Sequence, residues 1–383
     1  MHIRASDLRE QLRARVIGQD HAVDALVRAV TIGRSGLLEP DRPLAGMLFV
    51  GPTGVGKTHL VSALADVLRS GPEDFCRIDM SALAQEHYAA SLAGAPPGYA
   101  GSREGLTVLD PALIESDADR PGIALFDEIE KAHPTVVRAL LHVLDNGRFT
   151  LASGTRTIDF RNCIVVMTSN LGARRIAEHR GRAVRWRWPW HAGTRAGASE
   201  LASLLVHPYR QSGHGAEAGI LAAALQEFFD PEFLNRLDEI VAFGAIDSGT
   251  AVEIAGREVQ LVVERLRERF VRVQVAHDVV VHLARSGHDE VFGVRALKRA
   301  VRRELLTPLA QALAAEQPCP DRPVSLHVRL TGGRVECVTD RAAFDTARHD
   351  PGPAGGQHVE PPPGLPDQQA GLAGLAGRPP GDV

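Results

Sequence analysis

The chain has 383 residues, a mass of 41.2 kDa and 44% apolar residues, which is enough for about two or three domains with sizeable cores. This size excludes a small scaffold that depends on disulfides or a structural metal. Because 43 basic residues oppose 47 acidic ones, the net charge is −4, and no global positive field favours nucleic acid or an anionic membrane.

The first 245 residues predict an α/β fold with an open parallel sheet. Residues 1–46 read as helices and loops that lead into the first strand. Five short apolar runs follow, and their spacing leaves room for helices between them, which is typical of a sheet buried on both faces. The runs are Met47 to Val50, Phe75 to Ile78, Ile123 to Phe126, Ile164 to Met167 and Ile240 to Phe243. We expect a large domain over residues 1–245, with an insertion at about residues 178–220.

The pattern changes from about residue 246 onwards. Ala251 to Phe270 is charged and amphipathic, Val279 to Ala284 and Arg295 to Leu313 resemble helices, and Val324 to Leu330 resembles a strand. These segments predict a smaller, mostly helical domain over residues 246–340. Residues 341–383 are rich in proline and glycine, which predicts a disordered tail.

A glycine-rich segment between the first strand and the helix His59 to Leu68 has the P-loop pattern. Its residues are Gly51, Pro52, Thr53, Gly54, Val55, Gly56, Lys57 and Thr58. Such a loop directs backbone N–H groups at a phosphate, and the helix N-terminus adds partial positive charge. Lys57, one of only three lysines in the chain, would contact the β- and γ-phosphates, and the Thr58 hydroxyl would bind Mg²⁺. The segment therefore predicts a site for ATP and Mg²⁺.

Two acidic residues end the apolar run that begins at Gly122. A P-loop enzyme needs one carboxylate near Mg²⁺, which suits Asp127, and a second that polarises the attacking water, which suits Glu128. An Asp-Glu pair in this position can also serve as a helix cap. The P-loop upstream favours the catalytic interpretation.

Three motifs in this order resemble the AAA+ ATPases of the Clp unfoldase family. They are the P-loop, Asp127-Glu-Ile-Glu-Lys131-Ala-His-Pro134 and Phe233-Leu-Asn-Arg236-Leu-Asp238. The likeness is greatest to the second, C-terminal AAA+ module of ClpB and ClpC-type proteins, from about Val16 to about Arg334. It implies an AAA+ P-loop domain with a five-stranded parallel sheet and a small helical lid domain. It also implies a homo-oligomeric ring, with a hexamer as the family precedent, that unfolds or threads polypeptides and hydrolyses ATP.

The resemblance assigns roles to further residues. Val16 and Ile17 match the segment that packs on adenine, and Asn170 matches the sensor that orients water against the γ-phosphate. Arg236 matches the arginine finger that reaches the ATP of the neighbouring subunit, so that activity requires assembly. Arg295 matches the sensor of the small domain that contacts the γ-phosphate, although Ala296 stands where proline is usual.

The loop from Gly94 to Gly101 is similar to the central-pore loop of the Clp unfoldases. Tyr99 would grip an extended chain with its flat ring, and Gly98 and Gly101 would let the loop move. Ala100 stands where a valine is common.

Partners and compartment follow from what the sequence contains. The four cysteines show no metal-binding or Cys-x-x-Cys spacing, and the amino-terminal residues lack the apolar core of a signal peptide. We therefore expect a cytoplasmic chain without a membrane partner, whose substrates come through an adaptor or an insertion. No peptidase-docking tripeptide, Ile/Leu/Val-Gly-Phe/Leu, lies between Asn170 and Arg236, so the sequence gives no support for feeding a peptidase.

Two other functions stay open. An ATP-switched scaffold that assembles without moving chains would fit the altered pore loop. A nucleic-acid-remodelling motor would use the stretch from Arg180 to Trp190, in which cations alternate with aromatic rings. The net charge and the Clp-like pore loop make nucleic acid the less favoured partner.

Overall fold

The computed structural model describes residues 3–85, 108–116, 120–151, 156–185, 205–206, 215–289, 293–314, 316, 318–319 and 323–339. The predicted tail (residues 341–383) and most of the predicted insertion (residues 178–220) lie outside this range. The boundaries proposed for the domains stay predictions.

Among the described residues, eight strands belong to the first part of the chain. They are β1 (Ala45–Val50), β2 (Cys76–Asp79), β3 (Gly122–Asp127), β4 (Arg148–Thr150), β5 (Thr157–Asp159), β6 (Cys163–Ser169), β7 (Leu205–Val206) and β8 (Glu239–Ala242). Six of them form one parallel sheet in the order β2-β3-β6-β1-β8-β7, while β4 and β5 form a separate antiparallel pair. The five strands expected from the apolar runs are confirmed, and the two-residue β7 adds a sixth strand at the edge.

Helices cover both faces of this sheet. They are α1 (Ala5–Arg13), α2 (Asp20–Arg34), α3 (Lys57–Leu68), α4 (Pro111–Ile114), α5 (Pro134–Asn146), α6 (Ala173–Arg185), α7 (Gly215–Phe228) and α8 (Pro231–Asn235). Alternate residues of β1 face opposite ways, so that Met47 and Phe49 pack with α1, α2 and α3, whereas Leu48 and Val50 pack with α5 and α7. Because every residue of β1 is buried, this strand reads as a continuous apolar run.

A smaller set of helices and a three-stranded sheet follow β8. The helices are α9 (Ser248–Arg267), α10 (His277–Gly287), α11 (Val294–Ala300) and α12 (Thr307–Ala314), and a π-helical segment, Val301–Leu306, joins the last two. The strands are β9 (Val271–Val275), β10 (Val324–Thr331) and β11 (Arg334–Thr339), in the order β11-β10-β9. The sequence predicts β10 but misses β9 and β11, and it does not indicate the π-helical interruption.

The bonding between β1 and β8 fixes the turn that precedes β8. The Asp238 N–H donates to the Gly46 carbonyl at 2.8 Å, and the Gly46 N–H donates to Asp238 Oδ2 at 2.7 Å. The amino end of β1 is thus anchored twice by one residue. Across the described ranges, no helix has the length and apolar character needed to span a bilayer.

Candidate active site

The P-loop forms at the junction of β1 and α3. Gly51 and Gly56 have φ angles of 146° and 107°, which side chains rarely adopt. A Cβ at Gly51 would lie 2.6 Å from the Phe243 carbonyl oxygen. No side chain caps α3 at Gly56, so the first turn of this helix faces the loop with its partial positive charge.

Lys57 begins α3 and is buried, with only 8% of its surface exposed. Its ammonium donates to the carbonyl of Gly51 at 2.6 Å, to that of Pro52 at 2.7 Å and to Asn170 Oδ1 at 2.8 Å. Burial lowers the pKa of Lys57 to about 8, even though Glu130, Asp127 and Glu128 favour the charged form. The three oxygens that accept from Lys57, on Gly51, Pro52 and Asn170, are uncharged. The ammonium is therefore available to an anionic ligand.

Asp127 ends β3 with both carboxylate oxygens held in place. Thr168 donates its hydroxyl to Oδ1 at 2.5 Å, and Arg77 donates to Oδ2 at 2.6 Å. Thr168 is the next-to-last residue of β6 and Arg77 is the second residue of β2, and these two strands flank β3 in the sheet. Neither contact is predicted from the sequence, where the available signal was a polar residue within or directly after an apolar run.

Glu128 has a strained backbone, with φ of 59° in a region that costs a non-glycine residue about 1–2 kcal/mol. Its N–H donates to the hydroxyl of Thr168 at 3.0 Å. One threonine side chain therefore bridges Asp127 and Glu128 and stabilises this turn.

Asn170, directly after β6, connects the cation with the carboxylates. Its side-chain amide lies 3.5 Å from Glu128 Oε1, and its oxygen accepts from Lys57. The Asn170 N–H donates to Glu130 Oε1 at 3.1 Å, while Glu130 Oε2 is buried without a partner among the described residues. The sequence analysis quoted Glu130 within a motif but gave it no role.

A cavity of about 390 Å³ opens in front of these groups. Part of its lining is apolar and part is polar. The apolar side chains are Val16, Ile17, Ile254 and Leu261, and the polar ones are Lys57, Thr58, Asp127, Glu128 and Asn170. Gln19 secures the segment after Ile17, since its amide donates to the Gly244 carbonyl at 3.0 Å and accepts from the Gly244 N–H at 3.3 Å. Ile254 and Leu261, both on α9, were not anticipated from the sequence.

The helix α11 brings a cation to the same cavity from the second part of the chain. Arg295 lines the cavity, and its charge contributes to lowering the pKa of Lys57. The Val294 N–H donates to the Gly54 carbonyl at 2.9 Å. The small domain thus contacts the P-loop backbone directly.

Arg236 does not line this cavity. It lies beside Gly46, at the amino end of β1, whereas the P-loop follows the carboxyl end of that strand. The five residue steps from Gly46 to Gly51, at about 3.3 Å each, separate the two by about 16 Å. Tyr99, Gly98 and Gly101 of the predicted pore loop lie outside the described residues.

The residues around the cavity fit a nucleoside triphosphate with Mg²⁺. Thr58 and Asp127 supply the oxygen ligands that Mg²⁺ prefers, and the buried Lys57 and the N-terminus of α3 suit phosphate. The apolar walls suit a planar base. No group of three or more His, Cys, Asp or Glu side chains placed to hold a metal ion occurs in the described ranges.

Comparison with known proteins gives two family matches and close relatives. Residues 42–240 match the AAA domain (Cdc48 subfamily), and residues 246–324 match the C-terminal, D2-small domain of ClpB protein. An ATP-dependent protease ATP-binding subunit-like protein of Rhodococcus erythropolis is 46% identical over 87% of this chain and 90% of the relative. The ATP-dependent protease ATP-binding subunit-like protein AmiB of Pseudomonas aeruginosa is 45% identical over 79% of this chain and 77% of the relative. Chaperone protein ClpB of Meiothermus ruber is 41% identical over 80% of this chain but only 32% of its own length.

Proposed function

This chain belongs to the Clp-type AAA+ family of ATP-hydrolysing chaperones and unfoldases, and we propose that its protomers form a ring that threads polypeptides through a central pore. The observation that carries this proposal is the position of Arg236. It lies about 16 Å from its own P-loop along β1, from Gly46 to Gly51. An arginine side chain cannot span that distance, so Arg236 does not reach the ATP of its own protomer, and in the proposed ring it serves the ATP of a neighbour.

ATP binds along the cavity in this proposal. Val16 and Ile17 face the base, and the loop from Gly51 to Gly56 surrounds the phosphates. Lys57 exchanges its carbonyl partners for phosphate oxygens, which repays the cost of burying its charge. Thr58 and Asp127 hold Mg²⁺, which when bound neutralises negative charge on the phosphates.

Hydrolysis takes place between Glu128 and the γ-phosphate. Water attacks the γ-phosphorus, the bond to the oxygen bridging the β-phosphate breaks, and Glu128 accepts the proton of the water. Asn170 orients that water, since its amide lies between Lys57 and Glu128. Arg236 of the neighbouring protomer stabilises the charge on the transferring group, an effect of about 10³ to 10⁵ in rate.

Arg295 and Val294 transmit the nucleotide state to the small domain. Arg295 contacts the γ-phosphate, and Val294 is already bonded to the P-loop. Loss of the phosphate removes the contact of Arg295 and lets the two domains rotate. In the ring, with a hexamer as the family precedent, this rotation moves Tyr99 and the polypeptide that it holds.

The substitution Glu128→Gln tests the catalytic assignment. We expect ATP turnover to fall by at least about 10²-fold, with ATP retained and the oligomer stabilised, as measured by phosphate release and by light scattering after gel filtration. The exposed Glu73→Gln is the control and should leave turnover unchanged. Undiminished turnover in Glu128→Gln would remove the assignment.

The substitution Tyr99→Ala tests threading separately. We expect ATP turnover to persist while unfolding of a tagged substrate protein is lost. Equal unfolding by the variant and the parent would reject the threading role, and an ATPase that no polypeptide stimulates would favour a scaffold.

A further inference from the structure

Among the described residues, the Arg236 side chain has one ion-pair partner, Asp145, which it meets through Nε. Its Nε lies 2.8 Å from Asp145 Oδ1, and 47% of its side chain is exposed. A guanidinium carries five N–H donors in a planar fork. An ion pair on the Nε side of the guanidinium leaves its terminal N–H groups for a further anion.

Asp145 is an unexpected residue at its position in α5. It lies in the last turn of this helix, which ends at Asn146 and contains no basic residue in that turn. A carboxylate there is disfavoured by the partial negative charge of the helix C-terminus. A residue that contradicts local preference indicates a role beyond helix stability.

The backbone around Arg236 is fixed by a second arginine. Arg42 donates from Nη2 to the Arg236 carbonyl at 2.8 Å and from Nε to the Leu144 carbonyl at 3.3 Å. The same guanidinium lies 3.6 Å from Asp238 Oδ1. The end of α5 and the turn that carries Arg236 are therefore joined by both a backbone clamp and a side-chain ion pair.

We propose that Asp145 is a positioning residue for Arg236, and that it holds the guanidinium extended toward the ATP of the neighbouring protomer. This inference rests on the proposed function, because it needs Arg236 to act in trans. Asp145 acts on the arginine and does not touch ATP. The ion pair limits the rotamers that the Arg236 side chain adopts. Without it, that side chain would lose more conformational freedom each time it contacts the neighbouring ATP.

The first test compares turnover and stability in the full-length protein. For Asp145→Asn we expect kcat to fall by about three- to thirtyfold, with KM for ATP and ring assembly unchanged and Tm equal or higher. In an Arg236→Ala background the same change should have no further effect on kcat. Glu227→Gln is the matched control, since it removes the carboxylate of another half-exposed ion pair, 2.7 Å from Arg175, and should leave kcat unchanged.

The second test places the effect in the protomer that donates the arginine. Protomers with Glu128→Gln keep Arg236 but cannot hydrolyse ATP, and protomers with Arg236→Ala keep a complete cavity. We expect mixed rings of the two to regain turnover, and to lose it by about three- to thirtyfold when Asp145→Asn is added to the Glu128→Gln protomer.

The outcomes distinguish a failure of the positioning role of Asp145 from a failure of the proposed function. If mixed rings regain no turnover, action in trans fails and the proposed function fails with it. If they regain turnover that is indifferent to Asp145→Asn, only the positioning role is overturned. A rise in kcat would also overturn it, because the carboxylate would then compete with phosphate for the arginine.

Discussion

The Thr168 hydroxyl stabilises the turn at Asp127 and Glu128, and the substitution Thr168→Val removes this hydroxyl while preserving the shape of the side chain. Thr168 is 1% exposed, so water does not replace the hydroxyl. It donates to Asp127 at 2.5 Å and accepts from the Glu128 N–H at 3.0 Å. In Thr168→Val, the Asp127 carboxylate and the Glu128 N–H each lose a hydrogen bond.

The magnitude follows from these two bonds. A hydrogen bond to a charged group contributes about 1.5–3 kcal/mol, and a buried N–H left without its acceptor costs about 1–3 kcal/mol. Arg77 still neutralises the other oxygen of Asp127, so we expect the free energy of unfolding to fall by about 3 kcal/mol. Without this support the strained backbone of Glu128 relaxes, and we expect kcat to fall by about 10²-fold with little change in KM for ATP.

Denaturant unfolding and steady-state ATP hydrolysis measure the two effects. Thr168→Ser, which keeps the hydroxyl, should recover most of kcat. Thr31→Val is the control, because the Thr31 hydroxyl bonds only the Val27 carbonyl of its own helix at 2.6 Å. A stability loss below about 1 kcal/mol together with an unchanged kcat for Thr168→Val would refute the reasoning.

Two further substitutions test the domain contact and a helix cap. Gly293→Ala places a Cβ 2.7 Å from the Gly54 carbonyl at a φ of 52°, so we expect the small domain to separate from the P-loop and ATP to bind about tenfold more weakly, as measured by calorimetry; unchanged affinity would contradict this contact. Asp247→Ala removes the cap of α9, in which the Thr250 N–H donates to Asp247 Oδ1 at 2.7 Å, and should cost about 1 kcal/mol at neutral pH. Because the hydrogen bonds from Thr250 lower the pKa of Asp247, this cost is complete above the ordinary aspartate pKa and disappears as pH falls through the lowered pKa; a Tm difference that persists in acid would argue against the cap.

The fold was predictable where one residue type dominates a segment. Short apolar runs bounded by turn residues, such as Ile164 to Met167, indicate central strands, and the structure buries both faces of this one. β7 has just 2 residues, too few for any periodic signal. In β9, arginine and glutamine alternate with valine, so that the strand carries less apolar signal than the five central runs.

The candidate site was predictable as a set of motifs but not as a set of contacts. The P-loop, Asp127 and Glu128 follow from strand ends in the sequence, and Asn170 follows from the resemblance to the Clp family. The partners Thr168 and Arg77 depend on which strands are neighbours, since the order β2-β3-β6-β1 is not written in the chain. Asp145 is paired with Arg236 only because α5 packs beside the turn before β8.

In the proposed ring, β1 would connect two nucleotides that belong to different protomers. Its carboxyl end continues into the loop around the protomer's own phosphates, and its amino end is clamped by Asp238, two residues beyond the arginine lent to the neighbour. A fully hydrogen-bonded strand in the middle of a sheet neither shortens nor bends easily, so a displacement at one end arrives at the other. In the proposed ring, such a strand would let ATP hydrolysis in one subunit set the timing of hydrolysis in the next, and turnover around the ring would be sequential rather than independent.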